Sequence, residues 1–222
     1  MPGDGSARAL TDFLRWGPKR PDAKPAPAAE APANDPAVPS KAFAKFLATL
    51  AGREAPVLVD LGPVVGSNVS HFGERLGCKL FVEDLYADIE RHARAGTADQ
   101  LPAFLDRRLT EGEASADGIL CWDMFDYLDR PAAQALARRL SRMLRPGGAL
   151  MGFFCTTAVP VAHYTKHVIV DDGSLRHRTY PATPAMRRVM LNRDIIKMFE
   201  GLLVSDSFLL KSNTREILFR KQ

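Results

Sequence analysis

From Pro56 onward the apolar positions of the chain change period in a regular way. "VLVDLG" is a short β-branched run and reads as a buried strand. In "SNVSHFGERLG", Val69, Phe72 and Leu76 recur at helical spacing with polar residues between. "CKLFVED" is a second strand, "LYADIERHARAG" a helix, and much of 99–111 is helix-like. "DGILCWD" is a strand. "RPAAQALARRLSRMLRPGG" aligns Leu136, Leu140 and Leu144, with Asp129 ahead of it and Gly147-Gly148 as a stop. "ALMGFFCTT" is another strand. "NRDIIKMFEG" reads as a capped helix, and "LLVSDSFLLK" and "REILFRK" as two strands turning at Ser212-Asn213-Thr214.

Such alternation predicts an α/β fold: a doubly wound, mostly parallel sheet covered on both faces. The short turn between the last two strands makes them an antiparallel C-terminal hairpin, because parallel neighbours need a long crossover. Ligands of these sheets bind beyond the C-terminal strand ends. That expectation puts Asp60 to Gly66, Asp84 and Trp122-Asp123 on one rim.

The N-terminal part has a different texture. Residues 17–39 are rich in Pro and Ala and nearly free of large apolar groups, so they read as a semi-extended linker. Before them, "ARALTDFLRWG" has the pattern of a short helix able to meet a protein partner. Ser40 is placed to cap a helix that carries Phe43, Phe46, Leu47 and Leu50 on one face. The expected organisation is a flexible segment over 1–39 and a globular domain over 40–222.

Composition narrows the class. Of 222 residues, 46% are hydrophobic and 25% charged, as in ordinary soluble domains. No apolar stretch approaches the ~20 residues of a membrane helix, and the N-terminus has no signal-peptide core. Cys78, Cys121 and Cys155 are dispersed in apolar runs without metal-site spacing, which points to a reducing, cytoplasmic setting. A net charge of +4 does not call for nucleic acid.

The chemistry centres on "VLVDLGPVVGSN", Val57 to Asn68. A dinucleotide pyrophosphate wants G-x-G-x-x-G, which Gly62 and Gly66 do not supply, and Asp60 would repel it. A carboxylate there suits a ligand with an ammonium and a sulfonium. The stretch resembles the first motif of class I S-adenosylmethionine-dependent methyltransferases, h-h-D-h-G-x-G-x-G. "LFVEDL", "DGILCWDMFDYL", "LSRMLRPGGALMGF" and "REILFRK" resemble that family's later segments in order, over roughly residues 55–222.

The resemblance implies a Rossmann-like fold, S-adenosyl-L-methionine as cofactor, and methyl transfer to an acceptor that the sequence does not identify. It also implies roles. Asp60 anchors the loop or the ligand's ammonium, and Gly62, Pro63 and Gly66 shape the turn. Ser67 caps the following helix near the cofactor carboxylate. Asp84, with Glu83 as its competitor, takes the ribose hydroxyls, and Leu85 lies against adenine. Cys121, Trp122 and Asp123 line the methyl-donor pocket; Tyr127 reads as packing. The long stretch after the fifth segment reads as a lid. His163, Tyr164, His167 and His177 are its candidate bases, and a hairpin turns at Asp172-Gly173. Arg176, Arg178, Arg187 and Arg188 would meet an acidic acceptor or form a solvated face. No [ND]-P-P-[YFW] or Pro-Cys pair marks a DNA-methylating enzyme.

Two departures stand out. The family's middle glycine is Val64 here, and no third-strand signal precedes Asp117. They leave open an inactive methyltransferase-like binding or scaffold protein. A nicotinamide-dependent oxidoreductase is the weaker alternative.

Overall fold

The computed structural model describes residues 35–222; the expected helix "ARALTDFLRWG" and most of the proline-rich stretch lie outside these residues. Strands β1 (Val38–Pro39), β2 (Val57–Asp60), β3 (Lys79–Val82), β4 (Ala116–Trp122), β5 (Leu144–Cys155), β6 (Pro160–Asp171), β7 (Ser174–Met186), β8 (Leu202–Leu209) and β9 (Thr214–Lys221) form two sheets. Helices α1 (Lys41–Ala51), α2 (Gly66–Leu76), α3 (Leu85–Ala95), α4 (Leu101–Arg108), α5 (Arg130–Met143) and α6 (Asn192–Met198) connect and cover them.

The main sheet has the order β3-β2-β4-β5-β9-β8. Its first four strands are mutually parallel, and β9 runs antiparallel between β5 and β8. This is the doubly wound sheet with a closing antiparallel hairpin that the period pattern predicts. Side chains alternate across it. Val59, Ile119, Leu150, Ile217 and Phe219 face the core under α3 to α6. Leu58, Leu120, Ala149, Met151 and Leu218 face α1 and α2. Every residue of β4 is buried, as a central strand covered on both faces requires.

Local signals hold in several places. The Ser40 hydroxyl accepts from the Phe43 amide to start α1, and Asp129 does the same for α5 from Ala132. The three cysteines are free and buried. Between α3 and β4 the chain forms only a short 3-10 turn and α4.

Other details differ from the sequence reading. Helix α5 ends at Met143, and Gly147-Gly148 lie inside the irregular start of β5 rather than stopping the helix. There β5 joins β4 at Ala116↔Leu144 before the register shifts, so sheet pairing takes over before the glycines are reached. Helix α6 begins after Leu191, without a side-chain cap. The stretch read as a lid is the hairpin β6–β7 along most of its length, with its turn at Asp172-Gly173 as the sequence reading has it. With β1 it makes a separate three-stranded sheet, β1-β7-β6. Val38 and Pro39, inside the linker-like stretch, pair with Leu175 and Ser174.

The start of the sheet is anchored by Asp117. Its carboxylate accepts from Arg53 at 2.6 Å, Arg145 at 2.7 Å and the Val57 amide at 2.8 Å. Next to it, Gly118 lets α1 approach the sheet. A Cβ there would lie 2.8 Å from Phe46 and 3.0 Å from Leu50. Gly118→Val should therefore destabilise the domain by about 1–3 kcal/mol through overpacking, read from the urea midpoint. Gly66→Ala, with nothing within 4 Å of the added Cβ, should stay within about 0.5 kcal/mol.

Candidate functional site

The rim beyond β2, β3 and β4 is organised by Asp60. Its Oδ1 accepts the Gly62 amide at 2.8 Å and the Trp122 indole N–H at 2.6 Å. The loop thus folds back over the end of its own strand and is stitched to β4. Gly62 is required by contact: a Cβ would sit 2.8 Å from the indole. Burial pushes the Asp60 carboxyl up to about 6, against the pull of its two N–H donors and of His167. Pro63 is half-buried, Val64 is exposed, and Gly66 and Ser67 are exposed in the first turn of α2. Ser67 does not cap that helix, whose N-cap is Val65 with no side-chain bond.

At the end of β3 the two acids separate. Glu83 is buried beneath Arg108, whose Nη1 donates to its Oε2 at 2.6 Å while Nε donates to Asp88 at 2.8 Å. Asp84 takes a left-handed conformation, φ 43°, and accepts from the Ala87 amide at 3.3 Å to start α3. Leu85 and Cys121 are wholly buried in the core and present no surface to the rim.

Trp122 also has a left-handed backbone, φ 51°. Its ring stacks on His167 at 4.9 Å with the planes 6° apart, and on Phe153 at 6.2 Å. Asp123 then receives the Tyr86 hydroxyl at 2.5 Å and lies 3.3 Å from both His167 Nε2 and an Arg187 Nη2. Burial alone would raise the Asp123 pKa, but His167, Arg187 and Tyr86 together bring it down to about 2. Asp126 is also paired with Arg187, yet burial lifts it to about 6. Tyr127 packs edge-on against Tyr86 and Tyr164.

The β6–β7 hairpin crosses this rim and is held at two points. Asn68 of α2 donates to the His167 carbonyl and accepts from the Ile169 amide, both at 2.8 Å. Glu90 of α3 accepts from the Thr183 amide and hydroxyl, both at 2.9 Å, and from the Tyr164 hydroxyl at 3.2 Å.

The fold therefore brings together Asp60, Gly62, Trp122 and Asp123, with Asp84 on the same rim. Sequence reasoning gave no role to Tyr86 or Phe153 and only generic ones to His167 and Arg187. The one available signal was alternation along "AHYTKHV", which puts Tyr164 and His167 on different faces of a strand. His163 stands apart from the cluster; only its carbonyl meets the Tyr127 hydroxyl, at 3.4 Å. No group of three or more potential metal ligands occurs among the described residues.

A family model described as a methyltransferase domain matches residues 35–194. The chain belongs to that family. No curated protein matches it, but many solved structures do. One is the 1,6-didemethyltoxoflavin-N1-methyltransferase of Burkholderia thailandensis, crystallised with 1,6-didemethyltoxoflavin and S-adenosylhomocysteine. It is 18% identical, with 82% of this chain and 76% of that chain covered and a TM-score of 0.50. Another is an S-adenosylmethionine-dependent methyltransferase of Clostridium acetobutylicum, 13% identical over 83% and 92% of the two chains, TM-score 0.49. A third is a protein of Pyrococcus horikoshii, 12% identical over 81% and 88%, TM-score 0.49. At these identities the likeness is one of fold.

The Asp60 environment has a measurable consequence. A carboxyl that keeps its proton longer when folded makes stability fall as pH rises from its unfolded value toward its folded one. Asp60→Asn can retain both bonds through its own Oδ1 and does not titrate. Its stability relative to wild type should rise between pH 4 and pH 6, by up to about 3 kcal/mol, measured by denaturation across that range.

Proposed function

We propose that this chain is an S-adenosylmethionine-dependent methyltransferase working at the rim of the main sheet. The observation that carries the reading is positional. The family's segments form the strands of the sheet, and Asp60, Asp84 and Trp122-Asp123 lie at or just past the C-terminal ends of β2, β3 and β4.

The residues present fit the nucleoside part of such a cofactor. Asp84 sits on the rim at the end of β3, where its carboxylate can take ribose hydroxyls. Glu83 is committed to Arg108. The exposed first turn of α2 offers amides to a carboxylate. Asp60 is a positioning residue: its buried Oδ1 holds the Gly62 turn and Trp122. S-adenosylmethionine, when bound, supplies a methyl group already activated on a sulfonium. The chain's own tasks are then orientation and exclusion of water. The hairpin clamped by Asn68 and Glu90 serves the second of these.

A second reading, a methyltransferase-like binding protein without turnover, is favoured by one observation. The Trp122 indole rests on Gly62 and hydrogen-bonds Asp60, on the face of the loop that would meet the methionine part of the ligand.

Thermal shift separates the readings. S-adenosylhomocysteine at 100 times its dissociation constant should stabilise the protein by about 2.7 kcal/mol, and NAD should give no shift. Asp84→Ala should weaken that binding at least tenfold, because hydrogen bonds to a charged group contribute about 1.5–3 kcal/mol each. Glu83→Ala should instead lower stability by about 1–3 kcal/mol, by removing a partner of a part-buried guanidinium, with affinity retained. Binding that appears only in Trp122→Ala would replace the enzyme with the second reading.

A further inference from the structure

Helix α5, helix α6 and the stretch 188–191 that leads into α6 border a cavity of about 560 Å³. That is within the roughly 300–1,000 Å³ of sites that hold small organic ligands. None of Asp60, Gly62, Asp84, Trp122 and Asp123 lines it. Leu128, Val189, Met190 and Met198 supply apolar wall. Val189 and Leu191, which also lines the cavity, are 41% and 57% exposed. Exposed apolar side chains gathered at one cavity mark a place for a ligand, whereas singly scattered ones do not.

Four cations line the same space: Arg130, Arg138, Arg188 and Lys197. Arg130 and Arg138 lie two four-residue steps apart on α5, hence on one side of the helix. Arg188 comes from the connecting stretch and Lys197 from α6. None of the four has an ion pair or a side-chain hydrogen bond with a described residue. Elsewhere Arg53, Arg108 and Arg145 are each matched to a carboxylate, and Arg187 takes Asp126. The cavity has two acids, Asp194 and Glu200, and Asp194 already lies 3.6 Å from Arg193. Charge therefore selects the occupant. A second copy of the chain seated here by two-fold symmetry would set these cations against themselves. The segment 1–34 carries five cations and four acids, so it has no anionic excess to offer. A guanidinium matches a carboxylate in shape as well as charge, and the apolar walls call for an apolar body on the same molecule.

We propose that this cavity binds an amphipathic organic acid, an aliphatic or aromatic body that ends in a carboxylate. The body lies against the apolar wall, and the carboxylate is held among the unpaired cations. The inference makes no use of adenosyl binding at the rim and is tested without any adenosyl compound, so its failure and the failure of the methyltransferase reading are distinguishable.

The experiment is saturation-transfer NMR on the full chain at pH 7, titrated to give affinities. The probes are octanoate and 2-naphthoate. The controls are acetate, which has no apolar body, 1-octanol, which has no charge, and octylammonium, whose charge is reversed. The two acids should receive saturation and the controls should not, and added salt should weaken binding because the cations face solvent. The double variant Arg138→Gln, Arg188→Gln breaks no side-chain bond to a described residue and should weaken both acids at least tenfold. Glu200→Gln removes a like charge and should strengthen them at least twofold, a gain that a merely structural role would not produce. Circular dichroism confirms that the variants fold. Equal signal from 1-octanol, no signal from either acid, or unchanged affinity in the double variant would each overturn the proposal. Sedimentation of the protein with phosphatidylglycerol vesicles, in the absence of a signal from the free acids, would replace it with a lipid surface.

Discussion

The buried Oδ1 of Asp60 is the atom on which the rim depends. It receives one N–H from its own loop and one from a tryptophan on the neighbouring strand. Two donors on one oxygen fix the turn at Gly62 and the orientation of the indole together, so neither can move without exposing a buried, unpaired group. The indole then decides what stacks beyond it. His167 lies parallel to it and passes the arrangement on to Asp123.

The second constraint is the hairpin. Thirteen residues of β7 and twelve of β6 need a partner for one face, and they find it on the helices that flank the rim. Asn68 completes the backbone of β6 as an adjacent strand would, giving one donor and one acceptor. Glu90 does a similar task for β7 through Thr183. Covering the rim in this way encloses polar side chains that an open sheet would leave to solvent.

Burial then sorts the acids. Asp123 and Asp126 share the Arg187 guanidinium, yet they are driven apart, to about 2 and about 6. Asp123 gathers donors from three side chains. Asp126 has the Cys155 amide besides Arg187, and desolvation prevails there. Two neighbouring carboxyls with separated pKa values are what an enclosed rim can produce and a solvated one cannot.

The sequence by itself determined the elements, because their information is local. Periods of two and 3.6, a Ser or Asp ahead of a helix, and a short closing turn are each visible within a dozen residues. They carried the parallel sheet, the antiparallel β8–β9 hairpin, the caps at Ser40 and Asp129, and the rim position of Asp60 and Trp122. What needed the tertiary structure was every pairing across long separations. Trp122 meets Asp60 62 residues away, and Glu216 meets the α1 terminus 174 residues away. Asp84 starts α3 from a left-handed backbone while Glu83 is held by Arg108, a difference between two adjacent acids that alternation alone could not give. In the sequence Glu216 is only an acid ahead of the apolar run in "REILFRK". Only the burial of β9 between two others, beneath the hairpin, makes it an acceptor sealed from water.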